Sequence, residues 1–142
     1  MFSGKIDGIE YVFALVKLPS NWSLPHSDEC VIQFVDPKKV FGEKHILHCI
    51  LLTERAFRNG TNVASSPEIE FLLRLSGTRQ INKAIKQLSP GSEALVVVFG
   101  ENAKKCYENT KEQIGWTEIK GFKLKSQPEE KDAMERAVLL NL

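Results

Sequence analysis

Two short stretches hold the side chains best able to do chemistry. "EKHILHC" (43–49) sets His45, His48 and Cys49 close together. Imidazole and thiolate are zinc ligands, but helical spacings of three and four residues supply two or three ligands at best. Cys30 and Cys106 stand far away in sequence and have no ligand partners beside them. The stretch therefore reads as ordinary helical histidines next to a small buried thiol, with no metal and no Cys-His nucleophile. No nucleophile elbow, Walker loop or dinucleotide fingerprint occurs, and no cofactor is expected. The chain does not read as an enzyme.

The second stretch, "SGTRQINKAIKQL" (76–88), points to anion binding. Ile81, Ala84, Ile85 and Leu88 repeat at helical spacing, which predicts one buried face. Arg79, Lys83 and Lys86 line the other side with no acid between them. Gly77 permits positive φ or a close ligand approach, and Thr78 is the expected N-cap of a helix whose first amides point outward. Arg79 offers a planar fork for phosphate or base stacking, and Gln80 both donates and accepts on a base edge. Lys44, His48 and Arg55 form a second polar arc at about 100° per residue, opposite Ile46, Leu47, Ile50 and Phe57. A solvated helix face explains either stripe alone. Two acid-poor stripes together favour an anionic ligand.

Charge totals are uninformative, at 19 Lys plus Arg against 18 Asp plus Glu. Distribution says more. Residues 38–58 hold five cations and two acids, residues 74–88 hold four cations and no acid, and residues 128–142 are acidic. Three widely spaced cysteines without a C-x-x-C suggest reduced thiols of a cytoplasmic protein rather than a disulfide framework. Lys5, Asp7 and Glu10 interrupt the N-terminus, so it does not read as a signal peptide, and no apolar run approaches membrane-spanning length.

These groups need elements to position them. "GIEYVFALVK" (8–17), "CVIQFV" (30–35) and "EALVVVF" (93–99) read as strands, with a loop over 18–29. Asp36-Pro37 is expected to open a helix running to about Arg58. "EIEFLLRLS" (68–76) alternates Ile69, Phe71, Leu73 and Leu75 against polar residues, which predicts a strand. Asn102 caps a helix with Ala103, Cys106, Tyr107, Thr110 and Ile114 on one face, ending at Gly115. "TEIKGFKL" (117–124) reads as an edge strand, and Pro128 begins a last helix, acidic in its first turn and apolar at its end (Leu139, Leu140, Leu142). The predicted order is β-β-α-β-α-β-α-(β)-α. That is a single mixed α/β domain over 1–142, a mostly antiparallel sheet with helices packed on it.

"EKHILHCI" (43–50), "EIEFLLRLSGTRQINKAIKQL" (68–88) and "ALVVVF" (94–99) together resemble the kinase-binding small subunit of the KEOPS complex, the TPRKB-like family, in its archaeal type. The similarity spans roughly residues 30 to 114, and its most specific part is the S-G-x-R-Q-I-x-x-A-I block. The resemblance implies a non-catalytic accessory subunit. Its complex makes the threonylcarbamoyl modification on tRNA adenosine. The subunit binds the KEOPS kinase/ATPase subunit, meets the other KEOPS subunits indirectly, and captures the single-stranded 3′ CCA tail of tRNA. Carried onto this chain, Ser76, Gly77, Thr78, Arg79 and Gln80, with Lys44, His45 and His48, are the matching positions. The expected pocket has the Gly77 turn receiving a terminal phosphate or ribose, completed by Gln80, Lys44 and His48, while Lys83 and Lys86 add a sequence-independent pull. The alternative is a regulatory domain that binds a nucleotide or another small anion at Gly77-Thr78.

Overall fold

The structure, a computed structural model, describes residues 1–25 and 27–141. The chain forms two compact units, Met1–Pro37 with Pro90–Phe122, and Lys38–Ser89 with Lys123–Leu142. Leu142, which the sequence reading placed in the apolar C-terminal cluster, and position 26 of the 18–29 loop lie outside the described residues.

The first unit carries a five-stranded antiparallel sheet. Its strands are β1 (Phe2–Ile6), β2 (Ile9–Lys17), β3 (Cys30–Val35), β4 (Glu93–Gly100) and the two-residue β5 (Thr117–Glu118). The order is β1-β2-β4-β3, and β5 pairs with Val16 and Lys17 of β2. β1 was not anticipated from sequence. It closes a two-residue hairpin in which Asp7 and Gly8 both take positive φ (51° and 81°), the geometry that matches strand twist. The predicted edge strand over 117–124 shrinks to two residues.

Alternate residues of the three long strands make one continuous apolar face. Val12, Ala14 and Val16, Ile32 and Phe34, and Ala94, Val96 and Val98 form a single cluster with Ala103, Cys106 and Tyr107 of α4 (Ala103–Ile114) and with Trp116. The opposite-facing Phe13, Leu95, Val97 and Phe99 are buried too, which explains why β4 reads as an unbroken apolar run. α4 begins after Asn102 and stops at Gly115, as its punctuation predicts. Cys30 of β3 and Cys106 of α4 are joined as a disulfide, and only Cys49 is a free thiol. This corrects the expectation of reduced thiols. A bridge across 76 residues leaves no local spacing signal to find.

The second unit is helical. α1 (Glu43–Asn59) packs on α2 (Pro67–Ser76) and on α5 (Glu130–Leu139), and α2 also packs on α3 (Ile81–Leu88) and α5. The single helix expected from Asp36 is instead a 3-10 turn at Pro37–Lys39, a break, and then α1. The larger correction is α2, a helix where the alternation over 68–76 predicts a strand. Ser66 caps it by accepting from the Ile69 amide at 3.4 Å, Pro67 occupies the first turn, and Glu68 and Glu70 complement the dipole. Period-two alternation misled because this helix is buried nearly all round, with Phe71, Leu72, Leu73 and Leu75 all inside.

α2 also holds a buried ion pair. Glu70 and Arg74, neither more than 1% exposed at the side chain, meet with Nη2 2.8 Å and Nε 3.0 Å from one carboxylate oxygen. The other oxygen accepts the Val63 and Ala64 amides at 2.8 and 2.7 Å. Arg74 Nη1 donates to the Ala137 carbonyl at 3.0 Å and to Asn141 at 2.7 Å, and the Asn141 amide reaches the Thr61 carbonyl. One arginine thus ties α2 to the end of α5.

No helix among the described residues is long and apolar enough to cross a membrane.

Candidate nucleic-acid interface

The candidate tRNA-binding residues, from Lys44 to Lys83, all fall in the helical unit. Ser76 ends α2, and its hydroxyl donates to the Leu73 carbonyl at 3.2 Å. Gly77 follows in the left-handed conformation, φ 73°, its amide donating to the Leu73 carbonyl at 2.9 Å. A Cβ at Gly77 would lie 2.9 Å from Cβ of Arg136, so the missing side chain is what lets α5 approach this turn. The turn therefore joins two helices, not a strand and a helix.

Thr78 is not the N-cap of α3. Its hydroxyl accepts from the Gln80 amide at 3.2 Å, and the cap position falls to Gln80, which makes no side-chain capping bond. The first-turn amides of α3 are left without a side-chain acceptor. Arg79, Gln80 and Lys83 are all exposed. Only Ala84 and Leu88 of the predicted apolar face are buried, while Ile81 and Ile85 remain 43% and 41% exposed. Helical geometry puts that isoleucine pair on one flank of α3 and Lys83 with Gln87 on the other.

Beside Ser76 lies a cavity of about 300 Å³. Leu75 and Leu88 make it partly apolar, and Lys39, Phe41, Gln87 and Arg136 complete its lining. Both charged groups are cationic. Lys44 and His48 line a different depression, a groove of about 480 Å³ between α1 and α5 that also contains Glu130, Lys131, Met134, Glu135 and Val138. The single cup expected to join Lys44 and His48 with the Gly77 turn is thus two depressions. α5 contributes Arg136 to one and its Met134–Val138 face to the other.

His45 is fully buried, and both of its ring nitrogens are occupied. Nδ1 accepts from the Phe41 amide and Nε2 donates to the Leu75 carbonyl, each at 3.2 Å, which requires the neutral Nε2–H tautomer. The Phe41 ring stacks on the imidazole at 5.6 Å and 6°. His45 thus joins two residues that line the cavity, without facing solvent itself. Its own amide donates to Glu130 Oε2 at 3.2 Å, so a carboxylate from α5 caps the start of α1.

Burial holds the His45 pKa down to about 4, against the opposing pulls of the Leu75 carbonyl and Glu130. Above pH 6.5 the ring is neutral both folded and unfolded. Between pH 6.5 and 4 only the unfolded chain takes the proton, so stability falls as pH falls. The expected loss over that window is roughly 3 kcal/mol. Urea unfolding at pH 7 and pH 4 checks this, because His45→Gln, which cannot titrate, should lose much less than the natural chain.

His48 is half-buried, and its Nε2 is shielded without a partner. Burial lowers its pKa and Arg55 adds to the effect, while the Met134 backbone opposes it. Burial pushes the Cys49 thiol far up, which fits an inert core group. Among the described residues, no three His, Cys, Asp or Glu side chains gather as metal ligands would.

Sequence reasoning missed four cavity residues. Lys39 and Phe41 sit in a segment whose Asp36-Pro37 start predicts one continuous helix, and Gln87 belongs to neither the apolar nor the cationic row of α3. Arg136 lies in an acidic tail, and nothing local links it to Gly77. The fold is thus a mixed α/β architecture with a cationic cavity beside the α2–α3 turn. Over residues 17–140 the chain matches the family model for kinase binding protein CGI-121, and it belongs to that family. The match bears out the resemblance carried by residues 30 to 114. A comparison with curated proteins finds no match.

Proposed function

We propose that the protein is a non-catalytic accessory subunit of a KEOPS complex. In this reading it acts in the cytoplasm, binds the kinase/ATPase subunit and captures the 3′ CCA tail of tRNA at the α2–α3 turn. Membership of a kinase-binding family supports the first contact. The observation that carries the second is the gathering of cations about Ser76. Arg79 and Lys83 stand exposed on the turn and on α3, and Lys39 and Arg136 line the cavity beside it, which contains no acid.

The turn suits an unpaired RNA end, which presents phosphates, splayed bases and 2′-hydroxyls. Arg79 pairs with phosphate or stacks on a base. The uncapped amides of α3 favour negative charge, and Gln80 and Thr78 supply polar contacts. Lys83 adds attraction without sequence preference. Lys44 and His48, in the neighbouring groove, meet a more interior part of the acceptor strand, while His45 only positions the cavity wall. The contacts are few, and tethering to other tRNA-binding subunits raises their effect.

Arg79→Ala tests the assignment. Binding of intact tRNA should weaken by about 1–3 kcal/mol, and the slope of log affinity against log salt should flatten by about 0.7 for a lost single-strand phosphate contact. A change below a few tenths of a kcal/mol would make Arg79 an ordinary solvated side chain. The 300 Å³ cavity also favours a second reading, a regulatory domain that binds a nucleotide or another small anion.

A further inference from the structure

The two edges of the sheet differ. β3 is buried at every residue, whereas β1 alternates half-buried Phe2, Gly4 and Ile6 with exposed Ser3 and Lys5. Among the described residues β1 pairs with β2 alone, so no strand lies along its outer side. The hairpin turn decides which backbone groups that side presents. A two-residue loop makes the flanking Ile6 and Ile9 a pair that exchanges both hydrogen bonds, and bonding alternates along the strand from there. Phe2, Gly4 and Ile6 therefore bond inward to β2. The amides and carbonyls of Ser3 and Lys5 point outward, and no backbone bond joins them to another described segment.

Proteins blunt such edges with proline, a bulge or several charges. β1 carries one lysine, no proline and an unbroken register with β2. Aromatic contacts hold it in place. Phe2 stacks on Phe13 at 5.0 Å and 16°, and Phe122 meets Phe2 edge-on at 6.4 Å. The Tyr11 ring fills the place of a Gly4 side chain, since a Cβ there would lie 2.7 Å from its hydroxyl oxygen. A strand already fixed in this way needs little further ordering to accept another.

The residues of β1 select its partner. Phe2 and Ile6 stand symmetrically about Gly4. In an antiparallel copy with the two Gly4 residues opposed, Phe2 faces Ile6 and Ser3 faces Lys5, so every outward donor meets an outward acceptor. The apolar residues share one face, no lysine opposes a lysine, and glycine on the axis leaves room for both Tyr11 rings. Sliding the register either opposes the two Lys5 residues or shortens the overlap.

We propose that β1 is a self-association edge, on which a second copy of this chain adds its own β1 antiparallel about Gly4, joining two sheets into one. The contact is isologous, and it does not depend on the tRNA reading. Five residues a side fall far short of the roughly 20–30 of a stable interface, so the pairing is weak and reversible.

Sedimentation equilibrium of the full chain, from about 1 µM to about 1 mM, covers the range of weak association. The average mass should rise from 16.0 kDa towards twice that value. Ser3→Pro and Lys5→Pro each delete one outward amide and leave the β1–β2 bonds intact, so each should raise the dissociation constant about ten-fold or more. Ser3→Thr keeps the amide and should associate like the natural chain. Melting curves show that the proline variants remain folded.

Cysteine cross-linking reads the register independently, because Cys49 is buried and Cys30 and Cys106 are paired. A mixture of Ser3→Cys and Lys5→Cys chains, with oxidised glutathione as oxidant, should form a disulfide-linked dimer. Either variant alone should link far less, since its cysteines lie diagonally, about 7–8 Å apart between Cα atoms and beyond disulfide reach. A mass that stays at the monomer value throughout, which leaves the edge to a strand of some other protein, overturns the proposal. So does association that the folded proline variants retain, or cross-linking no faster in the mixture than in either variant alone.

Discussion

Glu70→Leu is expected to destabilise the protein by about 3–5 kcal/mol, the range for breaking a buried ion pair on one side. The guanidinium of Arg74 would stay inside without its carboxylate, and the Val63 and Ala64 amides would lose their shared acceptor. Coulomb attraction within the pair is not the main quantity at stake. An unpaired charge that cannot reach water decides the outcome. Adding Arg74→Met removes that charge and should recover part of the loss. Recovery should fall short of the natural chain, because both amides and the Ala137 carbonyl remain unmatched. Urea unfolding of the two variants measures both steps. A single-variant loss under 1 kcal/mol would mean that water reaches the pair.

Reduction of the Cys30–Cys106 bridge is expected to have a comparable effect, about 4 kcal/mol. The bridge closes a 76-residue separation, and the unfolded chain regains that loop's freedom when the bond is cut. Cys106→Ser should melt like the reduced natural protein and should not respond to reductant. Cys49 stays buried and unreactive in both, so thiol counting reports on the bridge alone. Identical melting with and without reductant would show that the bridge does not form. Because these cysteines are paired, they do not argue for a reducing compartment.

Where the sequence was legible, a local signal coincided with the tertiary outcome. β2, β3 and β4 are apolar runs that end up inside, and α4 has Asn102 at one end and Gly115 at the other. α2 departs from the expected strand because period two alone carries that expectation, whereas the Ser66-Pro67 start and the Gly77 stop mark a helix however its residues are buried. β1 failed because Asp7-Gly8 was passed over as a hairpin turn. Ile81 and Ile85 share an amphipathic arc with Ala84 and Leu88, yet periodicity says nothing of which part of an arc a neighbour covers. Candidate-site residues on and next to the turn were visible because they are contiguous. Arg136 and Lys39 were invisible because tertiary packing alone carries them to the cavity beside Ser76.

His45 illustrates the same limit in a different way. Its place among recognisable residues suggested ligand contact, whereas its two ring nitrogens bind the backbone at Phe41 and Leu75. Burial, which depresses the ring's pKa, favours the neutral tautomer that makes both bonds. A motif residue can thus shape a cavity wall without lining the cavity itself.

Titration of the full chain with intact tRNA, and with the same tRNA lacking its 3′ CCA nucleotides, tests the central claim most directly. Intact tRNA should bind about ten-fold tighter or more, a margin set by one or two charge-assisted contacts at the turn, and rising salt should narrow the gap. Equal affinity for the two RNAs would contradict the account, however well the cations about Ser76 fit an anion.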